Sequence, residues 1–149
     1  MQTLCARCLT ASASSQSFLP YGRQSLDDSD IEAVTNVLKG DWLTTGPAVG
    51  AFETDFAKAV RSKHAVSCSS GTAALHIAAI ASGLGEGHAA IVPSVTFLAT
   101  ANCCRYAGAE VVFADVDPET GLLGPEQLED ALQRADGLNV KAVFPVHLN

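Results

Sequence analysis

Charge is scarce in this chain, with Lys, Arg, Asp and Glu making up 17% of its 149 residues. Nine basic side chains stand against sixteen acidic ones, and no Lys/Arg run is long enough to follow a phosphate backbone. Nucleic acid and anionic membrane surfaces are therefore not expected as partners. Long apolar runs are missing too. A membrane-spanning helix needs about 20 consecutive apolar residues. The best candidates are interrupted early, one by His76 and the other by Pro93, Ser94 and Thr96. A soluble protein is expected.

A disulfide framework is absent, because the five cysteines are odd in number, Cys103 and Cys104 are adjacent, and their spacings match no secreted scaffold. A reducing, cytoplasmic setting follows. Zinc-site spacing is lacking as well. Cys5 and Cys8 form a CxxC with no second pair, and His64, His76, His88 and His147 are scattered among different elements. No metal is expected. Acid is missing altogether from the first 26 residues, which carry Arg7 and Arg23 and a Ser/Ala-rich stretch from Thr10 to Ser17. Residues 1–19 are expected to be a disordered head. A weak transit-peptide pattern is the other reading.

What remains is apolar, 48% of the chain, enough for a single core burying roughly 70% of the surface of the unfolded chain. Behind an Asp/Ser cap, Ile31, Val34, Val37 and Leu38 recur at helical spacing up to Gly40, predicting a helix with one buried face. A loop from Asp41 to Pro47 leads to a second helix. There Val49, Phe52, Phe56, Ala59 and Val60 share a side, while Glu53, Asp55 and Lys58 face water.

After Lys63, short apolar runs alternate with helical stretches. Strands are predicted at His64–Ser67, Ala89–Val92, Val111–Ala114 and Val140–Val146, and helices at Thr72–Ser82, Thr96–Tyr106 and Pro125–Arg134. Apolar strands without polar alternation are covered on both faces, as in parallel sheets of βαβ units. The fold class is α/β, a mostly parallel sheet flanked by helices and preceded by two N-terminal helices.

The turn Ser67-Cys68-Ser69-Ser70-Gly71-Thr72 joins a strand directly to a helix. Small residues let successive N–H groups point into one space, and the helix start adds partial positive charge, so the turn can hold a phosphate. It equally suits a capped helix, with Ser69 or Ser70 as cap. No Lys follows the glycine, which excludes a P-loop. The cluster Gly83-Leu84-Gly85-Glu86-Gly87 follows a helix and precedes a strand, the reverse of a dinucleotide site, and reads as a helix stop and turn. Asp115 and Asp117 after the third strand could hold a divalent metal in a glycosyltransferase-like module. Asp-Pro-Glu-Thr-Gly is also ordinary turn chemistry, the favoured reading. Cys103 and Cys104 read as small buried side chains, His147 as a residue ending a buried strand, and Trp42 as either an interface contact or a core anchor.

Several blocks in order carry a resemblance: Pro20-Tyr21-Gly22-Arg23-Gln24-Ser25, Gly40-Asp41-Trp42-Leu43-Thr44-Thr45-Gly46-Pro47, Ser69-Ser70-Gly71-Thr72-Ala73-Ala74-Leu75, Pro93-Ser94-Val95-Thr96-Phe97-Leu98-Ala99-Thr100-Ala101-Asn102 and Phe144-Pro145-Val146-His147. Together they resemble the DegT/DnrJ/StrS sugar aminotransferases over residues 20–149. The first two blocks look most like UDP-sugar 4-aminotransferases of the pseudaminic acid pathway. The resemblance implies the N-terminal part of a pyridoxal 5'-phosphate enzyme of fold type I, its large domain incomplete within residues 20–149. It further implies a homodimer that moves an amino group from glutamate to a nucleotide-linked keto sugar. Gly71 and Thr72 match the positions that hold the cofactor phosphate, and Phe97 the aromatic against the pyridine ring. Trp42, Leu43 and Thr44 match a loop near the substrate and the dimer partner.

The family's Schiff-base lysine and its pyridine-pairing aspartate come later than the Pro-Val-His block. Lys39, Lys58, Lys63 and Lys141 stand in none of its motifs and read as surface lysines. The chain alone is therefore expected not to transaminate. Its further alternatives are the metal-dependent module and a non-catalytic dimerisation partner.

Overall fold

The computed structural model describes residues 22–148. The head, the Cys5–Cys8 pair, Pro20-Tyr21 and Asn149 lie outside the described residues. Two compact units divide the chain between Ala48 and Val49.

The first unit contains α1 (Asp28–Lys39). Its start is fixed by Asp27, whose carboxylate accepts from Ser29 N at 2.8 Å and Asp30 N at 3.3 Å, while Asp27 N donates to Asp30 Oδ2 at 3.0 Å. This reciprocal arrangement satisfies donors that a helix start leaves free. The cap is Asp27, one residue before the predicted helix. The predicted buried face is corrected, because α1 buries no residue and Ile31, Val34 and Leu38 are all at least 60% exposed. Periodicity makes the stripe, but burial needs a neighbour, and the described residues of the first unit supply none.

α2 (Pro47–Ala59) crosses the boundary with its first two residues, and the second unit continues through an irregular segment and then alternates as α3 (Gly71–Ala81), β1 (Ala89–Pro93), α4 (Ala99–Tyr106), β2 (Glu110–Ala114), α5 (Pro125–Arg134) and β3 (Val140–Val143). Its three strands form a parallel sheet in the order β2-β1-β3. β1 is central and buried throughout, whereas β3 alternates between half-buried and exposed and β2 is fully buried only at Ala114. Side chains leave β1 on opposite faces in turn. Ala90 and Val92 join Ala79 of α3 and Ala101, Cys103 and Cys104 of α4 in one core, while Ile91 meets Ala114 and Ala131 of α5 in another. The layers are thus helix, sheet, helix, the arrangement expected of βαβ units.

Helix boundaries follow local chemistry. α3 ends where Gly83 (φ +76°) and Gly87 (φ +78°) take the left-handed conformation that glycine adopts freely, with Leu84 buried between them. The glycine cluster is the predicted stop and turn. Pro125 occupies the first turn of α5, where its missing N–H is no loss.

Two predicted strands differ. His64–Ser67 forms no ladder among the described residues, and Val66 is 76% exposed, so it is not a buried strand. β3 stops at Val143, after which Phe144 N still donates to Ile91 O at 3.0 Å. His147 lies beyond the strand and is exposed rather than ending it in the core.

Candidate functional site

Ser70 has extended backbone (φ −165°, ψ 162°), and its Oγ accepts from Ala73 N at 3.2 Å. Ser70 is therefore the cap of α3, deciding between the two serines. Its carbonyl accepts from Ala74 N at 3.0 Å. The N–H groups of Gly71 and Thr72 precede any intrahelical partner, and no acceptor meets them among the described residues. A Cβ placed on Gly71 would find nothing within 4 Å. Capping and anion binding are thus compatible at this turn. Ser70 uses the third donor and leaves two others, with the positive end of the helix, facing open space. The half-buried Thr72 carries a hydroxyl alongside them.

The approach to this turn is held from α2. Glu53 Oε1 accepts from Ser67 N at 2.8 Å and from Ser67 Oγ at 2.9 Å. These bonds, the backbone one foremost, hold the Glu53 carboxyl below the usual carboxylate range. The expectation that Glu53 simply faces water is corrected. Its partner is fourteen residues away, beyond any helical spacing, and no sequence signal announced the pair. Phe52, Phe56, Glu53 and the segment 65–71 enclose a cleft of about 400 Å³ beside Gly71, which neither Thr72 nor Phe97 lines.

Phe97 is 74% exposed on the connection between β1 and α4. Thr96 and Thr100 pin that connection through their hydroxyls, 2.7 Å apart, and Thr100 N donates to Phe97 O at 2.9 Å. α3 enters β1 through a tight turn and β1 feeds α4. The start of α3 and the β1–α4 connection therefore share the carboxyl end of the sheet, where open α/β sheets bind ligands. Gly71, Thr72 and Phe97 are brought to one end of one layer.

Trp42, Leu43 and Thr44 belong to the first unit. Trp42 and Leu43 are both at least 65% exposed, so Trp42 is not a core anchor among the described residues. The loop is nonetheless shaped closely. A Cβ on Gly46 would stand 2.7 Å from Trp42 Cβ, and Thr45 takes φ 48°.

The remaining candidates have structural occupations. Asp117 Oδ1 accepts from Thr120 N at 2.8 Å, Thr120 Oγ1 at 3.0 Å and Glu119 N at 3.0 Å. The Thr120 backbone bond is the main cause that lowers its pKa. This is the predicted turn chemistry, with all three bonds on one carboxylate oxygen. Cys103 and Cys104 are fully buried, as expected, and burial, reinforced by Cys103, pushes the Cys104 thiol up to about 12. Lys58 pairs with Asp55 at 3.2 Å on the surface, and Lys39, Lys63 and Lys141 are exposed.

Chemically, the carboxyl end of the sheet offers two unused amide donors, a hydroxyl and an exposed aromatic face. That set suits a phosphate joined to a flat ring. The chemistry of the donors is of the kind a phosphate group takes, and the exposed aromatic face of the kind a flat ring takes.

Comparison with known proteins identifies the family. The profile of the DegT/DnrJ/EryC1/StrS aminotransferase family matches residues 24–149. A DegT DnrJ EryC1 StrS aminotransferase from Brucella abortus is 38% identical, with a TM-score of 0.70 over 79% of this chain and 32% of that one. The putative sugar aminotransferase Spr1654 from Streptococcus pneumoniae, solved in apo, PMP and PLP forms, is 27% identical; its apo form gives a TM-score of 0.77 over 87% of this chain and 32% of its own. DesV from S. venezuelae, solved with a ketimine intermediate, is 32% identical, with a TM-score of 0.71 over 79% of this chain and 31% of its own. The chain spans about a third of the length of these relatives. Its sheet and helices match part of the fold type I architecture, and neither the metal-dependent module nor the non-catalytic partner is favoured. The chain belongs to the DegT/DnrJ/EryC1/StrS aminotransferase family, whose members depend on pyridoxal phosphate.

Proposed function

We propose that this chain is the cofactor-phosphate end of an aminotransferase that moves an amino group from glutamate to a nucleotide-linked keto sugar. The enzyme acts as a cytoplasmic homodimer, and residues 20–149 form the N-terminal part of its large domain. The observation that carries the reading is the pair of unused N–H groups on Gly71 and Thr72, at the sheet end shared with Phe97.

Pyridoxal phosphate, when bound, supplies an electron-withdrawing ring to the amine being transferred. The chain's own residues bind and orient. Gly71 and Thr72 donate backbone N–H groups to the phosphate, and the Thr72 hydroxyl adds a third donor. Phe97 lays a flat apolar face against the ring and limits its tilt without adding charge. Trp42, Leu43 and Thr44 meet the sugar substrate or the second subunit. The Asp-Trp-Leu-Thr-Thr-Gly-Pro loop favours a UDP-linked sugar aminated at C4, as in the pseudaminic acid pathway. Residues that bond the aldehyde and the ring nitrogen come from elsewhere in the enzyme, so the chain by itself binds without transaminating.

Two measurements test this. Titrating the labelled chain with pyridoxal phosphate should move the Gly71 and Thr72 amide resonances, and Thr72→Ala should weaken the response roughly tenfold, the worth of one charge-assisted bond. Identical responses to pyridoxal, which lacks the phosphate, would sink the phosphate assignment. The full-length enzyme should form 2-oxoglutarate from glutamate beyond one equivalent per active site only when a nucleotide keto sugar is supplied; sustained turnover indifferent to the sugar would refute the substrate class.

A further inference from the structure

We propose that Glu53 is a positioning residue for the phosphate cup, holding the Ser67–Ser70 approach so that the Gly71 and Thr72 donors keep their direction. The inference rests on the reading of Gly71 and Thr72 as phosphate ligands, and extends it to a residue on another helix.

The segment between α2 and α3 has no ladder among the described residues. Its other side-chain anchors are local. Ser62 Oγ donates to His64 O at 2.8 Å, and Cys68 Sγ makes a weak bond to Ser70 O at 3.3 Å. The two bonds from Ser67 to Glu53 bring in a separate element, and both end on one ionised oxygen. Charge-assisted bonds are about twice as strong as neutral ones. Ser67 stands three residues before the cap Ser70, so a shift there carries directly into the start of α3.

The carboxylate has an opposing effect. A negative charge bonded to Ser67, four residues before Gly71, repels a phosphate held there, so Glu53 does not serve as a ligand and does not promote binding through its charge. This gives positioning a distinctive signature. Glu53→Ala removes anchor and charge together, while Glu53→Gln keeps an oxygen that can accept both Ser67 bonds and removes only the charge. Positioning predicts weaker binding for alanine and rescue by glutamine. A purely electrostatic role predicts tighter binding for both.

The experiment is an amide NMR titration of the full chain with pyridoxal phosphate, read at Gly71 and Thr72, with hydrogen exchange of the Ser67 amide. Glu53→Ala should weaken binding roughly tenfold, the scale found for residues that orient a ligating group, and should speed Ser67 exchange. Glu53→Gln should bind at least as tightly as the wild type with Ser67 still protected. Wild-type affinity in Glu53→Ala, or equal weakening in both variants, overturns the proposal while leaving the phosphate reading intact. A wild-type chain whose Gly71 and Thr72 amides ignore pyridoxal phosphate removes that reading and this one with it. Should Glu53→Ala not fold, Ser67→Ala decides, since it deletes the hydroxyl bond and keeps the backbone bond. A loss of about threefold is then expected for one neutral donor, and none would overturn the proposal.

Discussion

α1 and α4 reverse the usual relation between helix signals and burial. α1 has a reciprocal Asp27 cap, acids in its first turn, Lys39 in its last and a regular apolar stripe, yet it buries nothing. α4 has no side-chain cap and, before Arg105 and Tyr106, is built from Ala, Thr, Asn and Cys, yet Ala99, Thr100, Ala101, Cys103 and Cys104 are all buried. Local signals decide that a helix forms and where it starts. Burial is decided by what lies opposite, and the small side chains of α4 let it approach Ala90 and Val92 of β1 closely.

The largest expected effect that could break this contrast is one of reactivity. In the native chain Cys68 should label with a thiol reagent orders of magnitude faster than Cys103 or Cys104, which are both buried, Cys104 also having its thiol pKa raised by burial. Peptide mass spectrometry over a labelling time course reads this directly, and early labelling of Cys103 would mean that α4 is not packed as described. Next comes stability. Ile91→Ala in β1 should cost about 3 kcal/mol in urea unfolding, whereas Ile31→Ala in α1 should stay within about 0.5 kcal/mol. Equal costs would show that α1 is covered in solution.

Smaller still, Ser70→Ala should cost about 1 kcal/mol through loss of the α3 cap. A thermal melt checks it, and an unchanged midpoint would reassign the cap. The mildest effect is acid sensitivity. Glu53 and Asp117 both titrate below their unfolded values in the native chain. Their contributions are therefore complete above the ordinary carboxylate pKa of about 4 and are lost as pH falls through the lowered native values. Glu53→Gln and Asp117→Asn should each flatten the acid limb of a stability–pH curve, and a limb unchanged in both would contradict those bonds.

Most of the α/β alternation was legible because it is written in local periods. Val111–Ala114, Pro125–Arg134 and the start of β3 at Val140 follow the sequence closely. The Ser67–Thr72 turn was legible as a helix start with spare donors, although only the backbone identifies Ser70 as cap. Three features were not legible, all for want of a partner visible along the chain. His64–Ser67 has the apolar content of a strand without a ladder, and the α1 stripe has the period of a buried face without a cover. Glu53 looks like a solvated helix residue until folding brings Ser67 to it.

The central place of β1 also sets an order of assembly. β2 reaches β1 across α4 alone, while β3 returns only after α4, β2 and α5 have been traversed. Closing the longer excursion costs more chain entropy, about 0.6 kcal/mol for each doubling of length. The β1–α4–β2 crossover is therefore expected to nucleate, with β3 zipping on afterwards. Substitutions at Ile91 or Ala101 should slow refolding, and those at Val140 should mainly hasten unfolding. On a ribosome, the end of the sheet that presents Gly71 and Phe97 would then take shape before its second edge strand has docked.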